Sequence, residues 1–416
     1  MLTKNNLVEY LSCGCTPRDS WLIGLEHEQF MVHLQTGAPL AYDGQPGVKQ
    51  VLEALSSARS GWKPKYEGEH IIALSQGNES ITLEPAGQIE LSGAPYHHLA
   101  DIIAEHSSYI DELGAVGDDL GIGFLSAGLH PQWSRSDIHW MPKARYTIMN
   151  RYLPTRGTLG LDMMTRTCGA QVNLDFESEE DMVRKFRVSM ALQPLIIALF
   201  ANSSVVEGQE SGFASYRAHI WEDTDPDRCG VLPFIFEEGM GFERYAEYML
   251  DVPMFLIERN GQLVDMAGKS FRAFMAGNLP ENETYTPELA DWEMHLSTAF
   301  PEVRLKKYLE LRGADSVPPP LLYALPAFWV GLLYDVQSLT DAEDMISNWM
   351  PQDHVDFRHQ VARDGLDTRV PHSGLTIRQF APSVISLARQ GLERQEGQSE
   401  GLAYLDLLEE KSALAA

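Results

Sequence analysis

The chain has no phosphate-binding glycine loop. Neither G-x-x-x-x-G-K-[ST] nor a G-x-G-x-x-G following a strand occurs. A nucleotide site here would have to be built on a sheet. Cysteine is scarce: Cys13, Cys15, Cys168 and Cys229 are too few in 416 residues for a disulfide framework. The Cys13-x-Cys15 pair reads as free thiols. Basic residues are also short, with 32 Lys and Arg against 59 Asp and Glu and a net charge of −27. The acids are spread along the chain, as on a solvated surface. Without a basic patch or nucleic-acid motif, nothing would draw nucleic acid or an anionic membrane. The apolar run 191–201 is interrupted by Gln193 and Pro194 and falls short of a bilayer span. The N-terminal MLTKNNLVEYL lacks a signal-peptide pattern, so a cytoplasmic location is expected.

What is present is a large apolar fraction, 44%, enough for an extensive core. No linker or charge block divides the chain before about residue 393. One domain over 1–395 is expected, followed by a tail, 396–416, that packs poorly or frays. Helical and strand patterns mix without a βαβ rhythm, which argues for α+β. Helices are expected over 47–59, 97–118, after the N-cap Ser178, from Thr286-Pro287, over 320–338 and over 381–395. Pro194 should kink the third of these. A Gly-rich turn (LGIGF), Asp225-Pro226 and Pro280 mark turns and loops.

Strands fit GLEHEQFMVHL, SITLEP, GQIELSGA, GAQVNLDF and KKYLELR. In GAQVNLDF, Gln171, Asn173 and Asp175 share one face and Val172, Leu174 and Phe176 the other. That is an antiparallel sheet with helices behind and a polar face in front. Glu26 and Glu28 lie at i, i+2 and point to the same side of a strand. Two adjacent buried carboxylates repel unless a cation neutralises them, so Mg²⁺ ligation competes with a solvated strand face. Glu84 and Glu90 flank Pro85-Ala86-Gly87, which must break or bulge the strand. They read as oxygen ligands for a metal, or as one turn acid and one strand acid. Glu310 and Arg312 share a face and could hold a cation and a phosphate side by side. Their bland alternative is a cross-strand salt bridge. Arg304 is a second phosphate candidate or a surface charge. Arg217 could meet a substrate carboxylate, or pair with Asp223, Asp225 or Asp227. Arg145 sits in MPKARY among turn residues and an aromatic. His219 reads as structural, and no histidine pair has zinc spacing.

These motifs resemble those of the plant and proteobacterial type of glutamate–cysteine ligase, within the glutamine-synthetase-like carboxylate–amine ligases. The resemblance rests on IGLEHEQF, EGEHIIAL, LEPAGQIELSGAP, MPKARYTIM, LGLDMMTRTCGAQVNLDF, ALQPLIIALFANS, the long stretch beginning SYRAHIWEDTDPDR, FPEVRLKKYLELRGAD and ALPAFWVGLLYD, in family order. It implies a curved antiparallel sheet of about six strands with helices on the convex face. It implies ATP as co-substrate, Mg²⁺, and formation of γ-glutamylcysteine, the first step of glutathione biosynthesis. Glu26, Glu28, Glu84, Glu90 and Glu310 match its metal positions. Arg312 and Arg217 match catalytic positions, and Arg312 with Arg304 would contact ATP. Arg145, Arg217, Thr167, Gln171 and Asn173 would bind glutamate. Partners would be small molecules only, on a monomer or homodimer. Departures occur at Leu25, Ala86, Ile89, Gly169, Ala170, Ala218 and Glu222. Gly169 and Ala170 remove a hydroxyl and bulk from a site strand, which leaves open a different amine acceptor. A non-catalytic glutamate- or nucleotide-binding paralogue is the other alternative.

Overall fold

Alternation along the strands sorts the residues into two faces. Leu25 stands opposite Val172, and Val172 opposite Leu311, on one side of the sheet. Glu26 opposite Gln171 and Glu310 opposite Asn173 form the rows of the other side. Period-2 geometry then leaves one face to be covered and the other to hold polar groups. The computed structural model describes residues 2–57, 61–279 and 285–413.

Among the described residues, nine antiparallel strands make the main sheet: β1 (Ile23–His33), β2 (Lys63–Glu67), β3 (His70–Gln76), β4 (Glu79–Leu83), β5 (Ile89–Ser92), β6 (Ile122–Leu125), β7 (Gly169–Leu174), β8 (Val303–Leu305) and β9 (Leu309–Asp315). Their order is β8-β9-β7-β1-β5-β4-β3-β2, with β6 paired to the far end of β1. The antiparallel α+β architecture agrees with expectation, but the strand count exceeds the six anticipated. LGIGF, expected as a turn, runs into β6, which starts at Ile122. β2 is largely exposed and shows no apolar alternation, so nothing in its pattern marks it as a strand.

The covered face packs on helices. Leu25, Val172, Leu174, Leu309 and Leu311 form one core with α5 (Glu179–Leu199) and α7 (Leu321–Leu333). Leu74, Ile81, Leu83, Ile89 and Leu91 form a second core that also takes in residues of α1 (Val48–Ser57) and α2 (Leu99–Leu120). The α5 helix starts as its sequence dictates: Ser178 Oγ accepts from the Asp181 amide, and Glu179, Glu180 and Asp181 occupy the positive first turn. It continues through Pro194.

Other boundaries shift for local reasons. The helix expected from Thr286-Pro287 begins at Leu289, because Glu288 and Asp291 form a reciprocal cap. The helix expected over 320–338 is two, α7 and Val336–Ile346, because Asp335 caps the second by accepting from the Ser338 amide. The helix expected over 381–395 starts earlier, as α8 (Ile377–Arg394). The described part of the expected tail does not fray. It forms α9 (Leu402–Ala413), with Leu405 and Leu408 fully buried, which contributes roughly 2 kcal/mol for each side chain. Ala58 and Arg59 of the first expected helix, Pro280 and the final three residues lie outside the described residues.

Candidate active site

The polar face of the sheet walls a cavity of about 320 Å³. Its floor follows from register. Glu28 stands opposite Glu90, and Glu90 opposite Thr82, so β1, β5 and β4 bring these side chains to one side. Glu84 joins them from a tight hairpin, closed by the Gly87 amide on the Glu84 carbonyl at 2.9 Å. Gly87 sits at φ +82°, a left-handed position that favours glycine, so the predicted break is a turn between strands. At the other end, β9 shifts register between Leu311 and Ala314. Gln193 of α5 fills the bulge by accepting from the Gly313 amide at 3.0 Å. Such a bulge lets Arg312 face the cavity while Ala314 returns to the core.

Glu26, Glu28, Glu84 and Glu90 form an acidic end. Amide groups orient the first two. Asn173 Nδ2 donates to Glu26 Oε1 at 2.7 Å, Gln171 Nε2 to Glu28 Oε1 at 3.1 Å and the Gly169 amide to Glu28 Oε2 at 2.7 Å. Thr82 donates to Glu90 at 2.9 Å. Burial, then the charge of Glu84, pushes the Glu28 carboxyl up to about 7. Burial and the neighbouring Glu84, Glu26 and Glu28 hold Glu90 well above the usual range. Among the described residues, no three acidic, histidine or cysteine side chains are already drawn into one ligand set. The donor chemistry still fits a hard divalent cation, because crowded carboxylates are what such an ion neutralises.

The basic end is built differently. Glu310 accepts from Arg304 Nε at 2.6 Å, from Arg304 Nη2 at 2.7 Å and from Arg312 Nη1 at 2.8 Å, with Lys306 Nζ at 3.3 Å. Burial alone would raise its carboxyl, but Arg304, Lys306 and Arg312 outweigh burial and hold it far below the usual range. Arg304 is buried, not a surface charge, and its Nη1 also donates to the carbonyls of Ser297 and Ala299. Its donors are committed to holding Glu310 and this loop. The cross-strand salt bridge named as the bland alternative for Glu310 is therefore present, with Arg304 as its partner. Arg312 lies 5.9 Å from the Trp221 ring centroid and 5.8 Å from that of Phe300.

All five acids named from sequence line the cavity, as do Arg145, Arg304, Arg312, Thr167 and Gln171. Arg145 Nε is buried without a hydrogen-bond partner. Asn173 and Arg217 are not among the lining residues. Asn173 orients Glu26 from beside it. Arg217 occupies an adjoining crevice, donates to the carbonyls of Arg312 and Gly313, and pairs with Asp315 at 3.9 Å, not with Asp223, Asp225 or Asp227. A Cβ on Gly169 would stand 2.4 Å from Arg217 Nη2, so the guanidinium already fills the space the glycine opens. Ala170 faces the apolar core and removes nothing from the cavity. Sequence reasoning missed Thr82, Gln88, Lys143, Tyr146, Trp221 and Phe300 as lining residues. All but Thr82 lie inside stretches quoted for the resemblance, but apolar and aromatic residues there read as core.

The model of glutamate-cysteine ligase family 2 matches residues 22–412. The chloroplastic glutamate–cysteine ligase B of Oryza sativa subsp. japonica is 50% identical over 394 residues, covering 95% of this chain and 78% of that one. The chloroplastic glutamate–cysteine ligase of Arabidopsis thaliana is 49% identical over 411 residues, covering 98% and 77%. The crystal structure of glutamate–cysteine ligase from Francisella tularensis in complex with AMP shares the fold at a TM-score of 0.55 and 14% identity, covering 94% and 82%. The expected cytoplasmic location is corrected by these findings: relatives from Oryza, Brassica and Arabidopsis are named chloroplastic. Among the described residues no helix is long and apolar enough to cross a membrane. The chain belongs to glutamate-cysteine ligase family 2.

Proposed function

We propose that this cavity joins the γ-carboxylate of L-glutamate to the amine of L-cysteine, with ATP as the activating co-substrate. The observation that carries the reading is the juxtaposition, in one cavity, of four crowded carboxylates with Arg145 and Arg312. A carboxylate is a poor electrophile, so its hydroxyl-equivalent oxygen must first become a leaving group. A γ-carboxylate oxygen attacks the γ-phosphorus of ATP, the bond to the β-γ bridging oxygen breaks, and ADP leaves. The cysteine amine, after losing a proton, attacks the acyl carbon of γ-glutamyl phosphate. The C–N bond forms and inorganic phosphate departs. Arg312 neutralises phosphoryl oxygens as charge redistributes, held in place by Glu310 and flanked by Trp221 and Phe300. Arg145, with its unpartnered Nε, offers an anion contact for glutamate. Glu26, Glu28, Glu84 and Glu90 would hold Mg²⁺. When bound, the ion screens these carboxylates and polarises the phosphate oxygens. Residues 1–395 make one catalytic domain in this reading, with α9 packed onto it.

Nothing in the geometry favours another acceptor amine, because Arg217 fills the space beside Gly169 and Ala170 faces the core. The test is mass-spectrometric identification of the product from glutamate, ATP and a pool of amines. γ-Glutamylcysteine as the dominant product supports the reading. A different γ-glutamyl amide overturns the acceptor, and nucleotide binding without ADP release under any amine overturns catalysis.

A further inference from the structure

Glu26 and Glu28 face the cavity, so His27 between them faces the opposite side of β1. There the ring is held at both nitrogens. Nδ1 lies 3.0 Å from His106 Nε2 on α2, and Nε2 lies 3.1 Å from Ser316 Oγ. His106 Nδ1 lies 3.1 Å from the Tyr323 hydroxyl of α7, which in turn lies 3.0 Å from Ser107 Oγ. His27 and His106 are 0% and 1% exposed. Both stand behind the sheet, and the cavity chemistry uses neither.

Counting donors places every hydrogen in this chain. The single hydroxyl hydrogen of Ser316 goes to the Glu28 carbonyl oxygen at 2.6 Å, which can only accept. Ser316 Oγ must therefore accept from the ring, and His27 carries its hydrogen on Nε2. Among the described residues no carboxylate bonds either imidazole, and an unpaired buried cation is costly, so both rings are neutral. His27 Nδ1 is then bare and accepts from His106 Nε2–H. His106 Nδ1 is bare and accepts from Tyr323, whose oxygen accepts from Ser107. The bonds run in one direction, from Ser107 through Tyr323, His106, His27 and Ser316 to the peptide of Glu28, and no ring nitrogen is left over.

We infer that His27 and His106 are positioning residues: this one-way hydrogen-bond relay ties α2 and α7 to the back of β1 and fixes the peptide that carries Glu28. The inference rests on the reading of Glu26 and Glu28 as cation ligands. Groups bonded directly to a ligating side chain typically set metal affinity by about 10–100-fold, because they fix ligand orientation; this relay acts further back, on the peptide that carries the ligand. A β1 free to rock would present the same two carboxylates in many geometries, most of them unsuited to a shared ion.

The relay makes two separable claims. In the full chain with ¹⁵N-labelled histidine, long-range proton–nitrogen spectra should show His27 and His106 both as Nε2–H tautomers with bare Nδ1. A hydrogen on His27 Nδ1, or on both nitrogens of either ring, would overturn the relay. In kinetics, His106→Leu should raise the Mg²⁺ concentration giving half-maximal rate by roughly tenfold or more. His106→Gln, whose amide can still donate to His27 Nδ1, should restore that value to within about threefold of the parent. If folded His106→Leu keeps the parent Mg²⁺ dependence, or if both variants shift it equally, the positioning role is wrong. Should His106→Leu fail to fold, the tautomers of the parent chain and the Gln variant still decide the question. Absence of ligase activity in the parent chain would instead sink the functional reading and leave the tautomers untouched.

Discussion

The two ends of the cavity share strands but treat buried charge in opposite ways. At the basic end Glu310 is matched by Arg304, Lys306 and Arg312, and its carboxyl is held far below its ordinary range. At the acidic end the hydrogen bonds to Glu28 and Glu90 among the described residues come from amide, hydroxyl and backbone groups; Arg217 and Arg312 pull the Glu28 carboxyl down, but burial with the neighbouring carboxylates wins and pushes both carboxyls upward. The first end is electrostatically complete within the protein. The second is complete only when something cationic arrives. The difference separates a preformed scaffold, which aims Arg312, from a site whose final geometry belongs to its ligand.

Five substitutions and a pH titration would sharpen or break that contrast. The largest effect is expected from Arg312→Ala, which removes the phosphate-facing donor and should lower kcat by about 10²–10³-fold with the fold retained. Steady-state rates and circular dichroism check this, and a loss under tenfold would remove Arg312 from the chemistry. Arg304→Met comes next. It breaks a bidentate buried pair and should cost about 3–5 kcal/mol in denaturant unfolding, a stability loss first and a rate loss second. By the same logic Glu310→Gln, which leaves three cations without their anion, should be harder on the fold than Glu26→Gln. Gly169→Thr pushes a Cβ against Arg217 at 2.4 Å and should cost about 1–3 kcal/mol by overpacking, unless the guanidinium swings away. Unchanged stability together with a changed amine preference would show that this position does select the acceptor.

The smallest effect is a pH slope. Burial and the charge of Glu84 push the Glu28 carboxyl from its ordinary value of 4.5 up to about 7 in the folded chain. Between these values the folded chain holds a proton that the unfolded chain has released. Stability from this group is full below pH 4.5 and is lost as pH rises through 7. Thermal unfolding from pH 4.5 to 7.5 should show this component, and Mg²⁺ should flatten it.

How much of this was legible in the sequence depended on where each signal lay. The acid-bearing strands were readable because alternation around Glu26, Gln171 and Glu310 is regular and one face is fully buried. β2 and β6 were not, since one is exposed on nearly every residue and the other is four residues after a glycine turn. Arg304 was misjudged because a lone arginine carries no mark of its partner. Only the β8–β9 pairing brings it to Glu310, six residues on. Arg217 lies in a crevice that adjoins the cavity, and that crevice depends on Asp315 and on the missing Cβ of Gly169, neither of which has a local pattern. The histidine relay was invisible for the same reason: His27, His106, Ser316 and Tyr323 meet only after α2 and α7 dock on the back of the sheet.

The most direct test of the two-ended cavity is calorimetric titration of Mn²⁺, and separately of a non-hydrolysable ATP analogue with Mg²⁺, into the parent chain, Glu28→Gln and Arg312→Ala. The account predicts that Glu28→Gln loses Mn²⁺ affinity by roughly tenfold or more, while Arg312→Ala retains it and is weakened only toward the nucleotide. Equal Mn²⁺ affinity in all three proteins would contradict it.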